Sequence, residues 1–581
     1  MNKKNLKKAT VMLAGVLAIG ASVAGCGSQA SGTSAGTAES ASVAEETKAQ
    51  SASSQTDGEK KIVLAESWSF ASLYPVITPE RESNLGSAYW SRNFYDTLVE
   101  YNEKGEIVPA LAKEWTVSDD GLTVTFVLKE GIKFSDGTPL TADAVKKSID
   151  ASNENLGPYA GNYGKIGALT ASTEVTDDTT FVMHLSSPYY NAVNDLTYSC
   201  PYAIVNPKAF EGGADKAYET CASATMGTGP YMFESHENGV YTFTRNPNYW
   251  GDAPDVEVFQ VKEIADNDSK VLALKSNEID AIIGASRLTH EGFSQLKDAG
   301  YGTSVDTRAT STFYFGMRLA DVNVWNESYT EVTQTVPAGV FADKKVRQAA
   351  SMVIDQQLLA EKVFNGIDTL AETFFEKTKP YCNVEQKIYE TDPEGAARLL
   401  EEAGWKDTDG DGVLDKNGEK LSVKISFSND LGTVADAMEA VKGQLEGAGF
   451  EVTLAPAADM MAWYMAGMTG DYDLIYWTTN GGAMDPSSTV SNICSVADPV
   501  LGLLGGFGRI TPELIAELDS TPDSSRVEEI YKELLTDISE EALIIPIVHQ
   551  NEIAAWNPDK IEWYEHYYDS EHVQVKNIKL K

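Results

Sequence analysis

The chain has 581 residues, with 86 acidic side chains against 46 basic ones and a formal net charge of −40. A field of that sign disfavours nucleic acid or an anionic lipid surface as partner of the folded part. Five cysteines with no CxxC pair argue against a structural zinc site, and a chain this long exceeds one ordinary core, so two or three domains are expected.

At the start, Lys3, Lys4, Lys7 and Lys8 precede the apolar run ATVMLAGVLAIGASVAG, the layout of a secretion signal too short to span a membrane stably. The stretch SVAGC is similar to a bacterial lipobox, in which Cys26 would be acylated and become the new N-terminus, with Val23 where Leu is commoner. An ordinary cleaved signal that leaves Cys26 a plain thiol is the alternative. Residues 1–25 are thus expected to be a signal peptide. Residues 26–60 hold no aromatic side chain and cannot bury enough apolar surface to offset chain entropy, so they read as a flexible tether. The folded part is expected on the outer face of the cell membrane, anchored through lipid on Cys26.

Beyond the tether the elements alternate. Period-two spacing in GLTVTFVLKEGIKF puts Leu122, Val124, Phe126 and Leu128 on one face of a strand. A helix follows at TADAVKKSIDAS, with Thr141 as N-cap and Asp143 in the first turn. Strands recur at TTFVMHLS, GVYTFTRNP and DVEVFQVKEI, and DNDSKVLALKSNEIDAII passes from helical spacing at Val271, Leu272 and Leu274 to a strand at residues 279–283. From about residue 340 helices dominate. Val346, Ala349, Ala350, Val353 and Ile354 form one stripe, and the following helices alternate with strands LSVKISFS, FEVTLAPA and YDLIYWTT. The expected class is α/β with a second α/β domain.

The loop GWKDTDGDGVLDKNGEK sets Asp407, Asp409, Asp411 and Asp415 at calcium-loop spacing with Gly412 at position six, but position twelve is Gly418, where the bidentate Glu belongs. A plain Asp/Gly turn is the favoured reading, a weak calcium site the alternative. No HExxH, GxSxG, P-loop or GxGxxG motif occurs, and the six histidines include no i,i+4 pair. An enzyme is therefore not expected. Cys200 and Cys221 could pair in an extracellular setting, which the sequence leaves open.

Read in order, GIKFSDGTPLTADAVKKSIDA, GTGPYMFES, RNPNYWGDAPDVEVFQV, LALKSNEIDA, FADKKVRQAASMVIDQQLL, AARLLEEAGWKDTDGDGVLDKNGEKL and YDLIYWTTNGGAMDP resemble the family 5 extracellular solute-binding proteins of ABC importers, across roughly residues 61–581. The resemblance implies a two-lobe periplasmic-binding-protein-like fold (type II, cluster C-like). Lobe one would have its core in residues 61–90, 220–308 and 548–581, with an inserted subdomain at 91–219, and lobe two would span 309–547, with hinges near RATSTFYF and LIIPIVHQ. It also makes the Asp/Gly turn and TRNPNYW architectural.

What it implies about function is capture of a solute, a short peptide first, and delivery to ABC permease and ATPase subunits by a monomer without metal or cofactor. A nickel chelate, another small solute, or a surface receptor or adhesin on the same fold are alternatives. The cleft residues it nominates are Trp477, Asn480, Met484 and Asp485 from YDLIYWTTNGGAMDP, Trp68 and Phe70 from ESWSFASLYP, and Tyr314 from the crossover STFYFGM. Asp485 is the carboxylate expected to meet a peptide α-ammonium group. A turn-forming Asp before Pro486 is its bland alternative.

Overall fold

The computed structural model describes residues 60–581 except 68–69, 77–84, 157–163, 215, 285–287, 309–310, 327–330, 429–433, 459, 480–485, 494–511 and 568–571. Cys26, Trp68, Asn480, Met484 and Asp485 therefore lie outside the described residues, as do the signal and the tether.

One seven-stranded sheet runs in the order Gly302–Asp306, Glu552–Trp556, Ala281–Ile283, Lys61–Glu66, Val258–Glu263, Val240–Arg245, Tyr231–Glu237. Its centre is parallel, with Lys61–Glu66 in register along Val258–Glu263 and Leu64 opposite Ala281. A central strand covered on both faces reads as a nearly continuous apolar run, which is why KIVLAE does not alternate. The aromatic side chains Phe70, Trp90, Phe243 and Phe259 fill the core on one side of this sheet.

A second sheet of six strands has the order Thr369–Leu370, Ile544–His549, Thr312–Met317, Leu474–Thr478, Ser422–Ser428, Glu451–Ala457. Strand Thr312–Met317 is buried at every position, because side chains alternate between two cores. Phe313, Phe315 and Met317 join the core that contains Val346, Ala349, Ala350, Val353 and Ile354. Tyr314 points the other way, into a cluster with Trp463, Trp477 and the buried face of helix Ser524–Glu540.

A separate four-stranded antiparallel sheet, Ala112–Val117, Thr123–Leu128, Thr180–Leu185, Thr170–Asp177, carries helix Ala142–Leu156 against its apolar face. Here burial alternates strictly, with Val124, Phe126 and Leu128 inside. The chain passes between the two large sheets twice, after the strand that ends at Asp306 and after the strand that ends at His549. The crossings lie side by side, since the Gln550 N–H donates to the Ser311 carbonyl at 2.8 Å.

The motif GTGPY is a close-approach site. A Cβ on Gly229 would lie 2.5 Å from the Phe94 carbonyl carbon, and one on Gly227 would lie 2.1 Å from the Phe94 carbonyl oxygen. TRNPNYW is tied into the fold likewise. Arg245 donates to the carbonyls of Asp255 (2.9 Å) and Val256 (3.2 Å), and the Trp250 indole donates to the Asp96 carboxylate at 2.9 Å. Cys200 and Cys221 are not joined in a disulfide. Cys221 is buried beside Tyr95, and desolvation pushes its thiol up to about 12.

Candidate functional site

In open α/β sheets, ligands meet the carboxyl ends of parallel strands. At that end of Lys61–Glu66 the last residue is a wholly buried carboxylate. Glu66 accepts from the Trp90 indole N–H at 2.7 Å and from the Ser67 backbone N–H at 2.6 Å. Lys270, also wholly buried, is delivered by helix Asn267–Lys275, whose N-cap Asp266 accepts from the Ser269 N–H. Its ammonium donates to Ser67 Oγ and, at 2.9 Å, to Asn267 Oδ1. Opposite charges thus meet through one serine inside lobe one. Sequence reasoning passed over both. The signal available was a Glu closing an otherwise apolar strand.

Lobe two holds a buried aromatic cluster. Tyr314 and Trp477 are register partners on antiparallel strands, so their side chains share a face. Trp477 stacks on Trp463 with centroids 3.8 Å apart and planes at 23°, and Tyr314 meets Phe374 edge-on at 5.0 Å. The structure therefore brings Tyr314 and Trp477 together, as buried members of one cluster. Phe70 is elsewhere. Its ring is enclosed by Trp90, Tyr241 and Phe243 at 5.7, 5.1 and 6.1 Å in the core of lobe one.

The inserted subdomain reaches across to lobe two. Asn191 Nδ2 donates to Ser487 Oγ at 2.9 Å, the hydroxyls of Tyr190 and Tyr531 are 3.0 Å apart, and the Lys165 ammonium pairs with Asp519. Tyr381 stacks on Tyr531 at 5.2 Å and meets the edge of Tyr190 at 5.9 Å. Ser487 lies two residues after Asp485, in the first turn of helix Pro486–Ile493. The Asp-Pro step that the sequence nominated thus leads directly into the contact between the lobes.

Near the crossings the polar groups are closely matched. Asp368 accepts from the Asn551 N–H at 3.0 Å and lies 3.2 Å from His290 Nε2, which ties a loop of lobe two to a helix of lobe one. His549 shares a 2.9 Å hydrogen bond with the Thr312 hydroxyl, and burial, with Lys379 adding to it, pushes its imidazole down to about 4.

Among the described residues, Asp407, Asp409 and Asp411 are the acidic group whose carboxylate oxygens come within 4.8 Å of one another, all exposed. Those oxygens serve the turn itself. Asp407 accepts from the Gly410 and Gly412 N–H groups at 2.6 and 3.1 Å, and Asp411 accepts from the Val413 N–H at 2.9 Å and the Lys420 ammonium at 2.6 Å.

Two α/β lobes joined by two adjacent crossings, one carrying an inserted subdomain that meets the other, define a two-lobed solute-binding protein of the type II periplasmic class. The chain belongs to the bacterial extracellular solute-binding proteins, family 5: the model of that family's middle region matches residues 106–499. The nickel-binding periplasmic protein of Escherichia coli (strain K12) is 27% identical over 474 residues, 80% of this chain and 85% of that one. The oligopeptide-binding protein AppA of Bacillus subtilis (strain 168) is 28% identical over 370 residues, 62% of each. Among solved structures, NikA from Brucella suis in complex with Fe(III)-EDTA superposes with a TM-score of 0.78 at 26% identity, covering 90% of this chain and all of that one.

Proposed function

We propose that this chain, tethered outside the cell through lipid on Cys26 and working as a monomer without catalysis, captures a short peptide between its lobes and delivers it to the permease and ATPase subunits of an ABC importer. The observation that carries the reading is the contact of Asn191 with Ser487, which brings the inserted subdomain onto the turn that follows Asp485 and Pro486. A peptide offers a backbone that a sequence-tolerant site can hydrogen-bond, and an α-ammonium group that needs an anion. Asp485 supplies the anion, while Trp477 and Tyr314, with Trp68, Asn480 and Met484, belong to the walls. Phe70 acts behind them.

A metal chelate is the second reading. It is favoured by the more extensive likeness to the nickel-binding relative, 80% of the chain against 62% for the oligopeptide binder.

Calorimetry separates the two. Free di- to pentapeptides should bind, N-acetylated ones should bind poorly, and Asp485→Asn should weaken the free peptides by about 1.5–3 kcal/mol, the range for a hydrogen bond to a charged group. Equal affinity for free and acetylated peptides would remove Asp485 from this role. Binding of nickel–histidine or ferric–EDTA, with no peptide bound at all, would decide for the chelate.

A further inference from the structure

One buried carboxylate in the inserted subdomain organises two polar arms that cross to lobe two. Asp195, at the end of the short helix Ala192–Asp195, is wholly buried. Its Oδ2 accepts from the backbone N–H groups of Lys165 and Ile166 at 2.8 and 2.9 Å. Its Oδ1 accepts from Asn191 Nδ2 at 3.1 Å and from the Tyr189 hydroxyl at 3.3 Å. The loop that brings Lys165 here comes so close that a Cβ on Gly164 would lie 2.2 Å from the carboxyl, and Gly164 holds a φ of +76°; only glycine satisfies both conditions.

Both arms continue to lobe two. The backbone of Lys165 is held by Asp195 while its side chain pairs with Asp519. Asn191 has two amide hydrogens, and its Nδ2 is within donating distance of both Asp195 Oδ1 and Ser487 Oγ. Tyr190, next to Asn191 in the chain, meets Tyr531. The two arms differ in solvent access. Lys165 and Asp519 are each about a quarter exposed, at 24% and 28%, whereas Asn191 and Ser487 are buried.

We infer that Asp195 is a positioning residue for lobe closure, the anchor of a two-armed clasp, Lys165 to Asp519 and Asn191 to Ser487, that stabilises the closed cleft whether or not solute is present. The inference rests on the two-lobe capture reading above. A contact made only in the closed form shifts the open–closed equilibrium by its own differential free energy. The part-exposed ion pair is screened by salt and the buried amide–hydroxyl bond is not. Closure should therefore have a salt-sensitive part and a salt-insensitive part, both dependent on Asp195.

The test needs no solute: the radius of gyration of the full chain, by small-angle scattering, at low and high salt. The wild type should expand on raising the salt. Lys165→Ala and Asp519→Ala should each shift the closed-to-open ratio about two- to five-fold toward open at low salt, the span for a part-exposed ion pair. The double variant should shift it no further than either alone, because the two substitutions remove one interaction. Asp195→Asn should open the molecule and abolish the salt dependence although Lys165 and Asp519 are intact. A merely structural role would lower the melting temperature and leave the salt dependence in place. Should Asp195→Asn fail to fold, Asn191→Ala must open the molecule while keeping the salt response.

Unchanged dimensions in the Lys165 and Asp519 variants at both salts, or a double variant that shifts by the sum of the singles, overturns the clasp. Because solute is absent throughout, that failure leaves peptide capture untouched, and failure to bind any peptide leaves the clasp result standing.

Discussion

His549 shows how a single side chain at the crossing couples the fold to pH. Its imidazole is driven to about 4 first by desolvation and then by Lys379, while the Thr312 hydroxyl holds its Nδ1 at 2.9 Å. Because the folded pKa lies below the unfolded value of 6.5, the fold holds this ring neutral. The stability it contributes is present above pH 6.5 and is lost as the pH falls toward 4. His566 is pushed down to about 4 by burial and by Arg308 against the opposing pull of Asp306, so it adds to the same slope. Urea denaturation at pH 7 and pH 4.5 should show wild-type stability falling, and His549→Gln should remove about 1–3 kcal/mol of that fall. An identical pH slope in the variant would uncouple His549 from the transition. At this scale the sequence was legible where a residue type implied its packing, as for Phe126 in its alternating strand. It was mute about Glu66 and Lys270, since a Glu and a Lys far apart in the chain carry no local sign that they will meet through Ser67.

Among the elements, the Asp407–Asp415 turn is where metal and turn chemistry compete. Its carboxylates are engaged with the loop's own N–H groups, and the Lys420 ammonium sits on Asp411, whose carboxyl is held below its ordinary range by that contact first and the Val413 N–H next. With Gly418 at the twelfth position, no bidentate ligand completes a cage. A ligand that binds only the folded state must raise its melting temperature. Chelator should accordingly leave the melting temperature unchanged, and calcium at millimolar concentration should not raise it; an increase of several degrees on adding calcium would make the turn a site. The strand Thr312–Met317 was readable as an element, and its side-chain alternation puts Phe313 and Tyr314 in different clusters. Which face belonged to the cleft was not readable, because both are buried.

For the molecule as a whole, the proposed attachment rests on Cys26, the cysteine of the lipobox-like stretch SVAGC. The chain carries a net charge of −40 and is repelled by anionic lipid, so on this proposal the membrane affinity comes from the acyl chain. Cys26→Ser should release the protein into the medium on fractionation. Retention of that variant in the membrane fraction would require another anchor.

The sequence by itself determined the α/β class, the elements and, through motifs spread along the chain, the family. These follow from period-two and helical spacing and from short turn motifs, all properties of residues near one another in the chain. Only the tertiary structure decided that Phe70 lies in the core of lobe one, that Cys200 and Cys221 remain separate thiols, and that Asp195 supports contacts to lobe two. The partners Tyr190 and Tyr531 lie 341 positions apart, and Lys165 and Asp519 meet only where the two lobes touch. Such pairings arise from the docking of one finished lobe on another, which no local periodicity encodes.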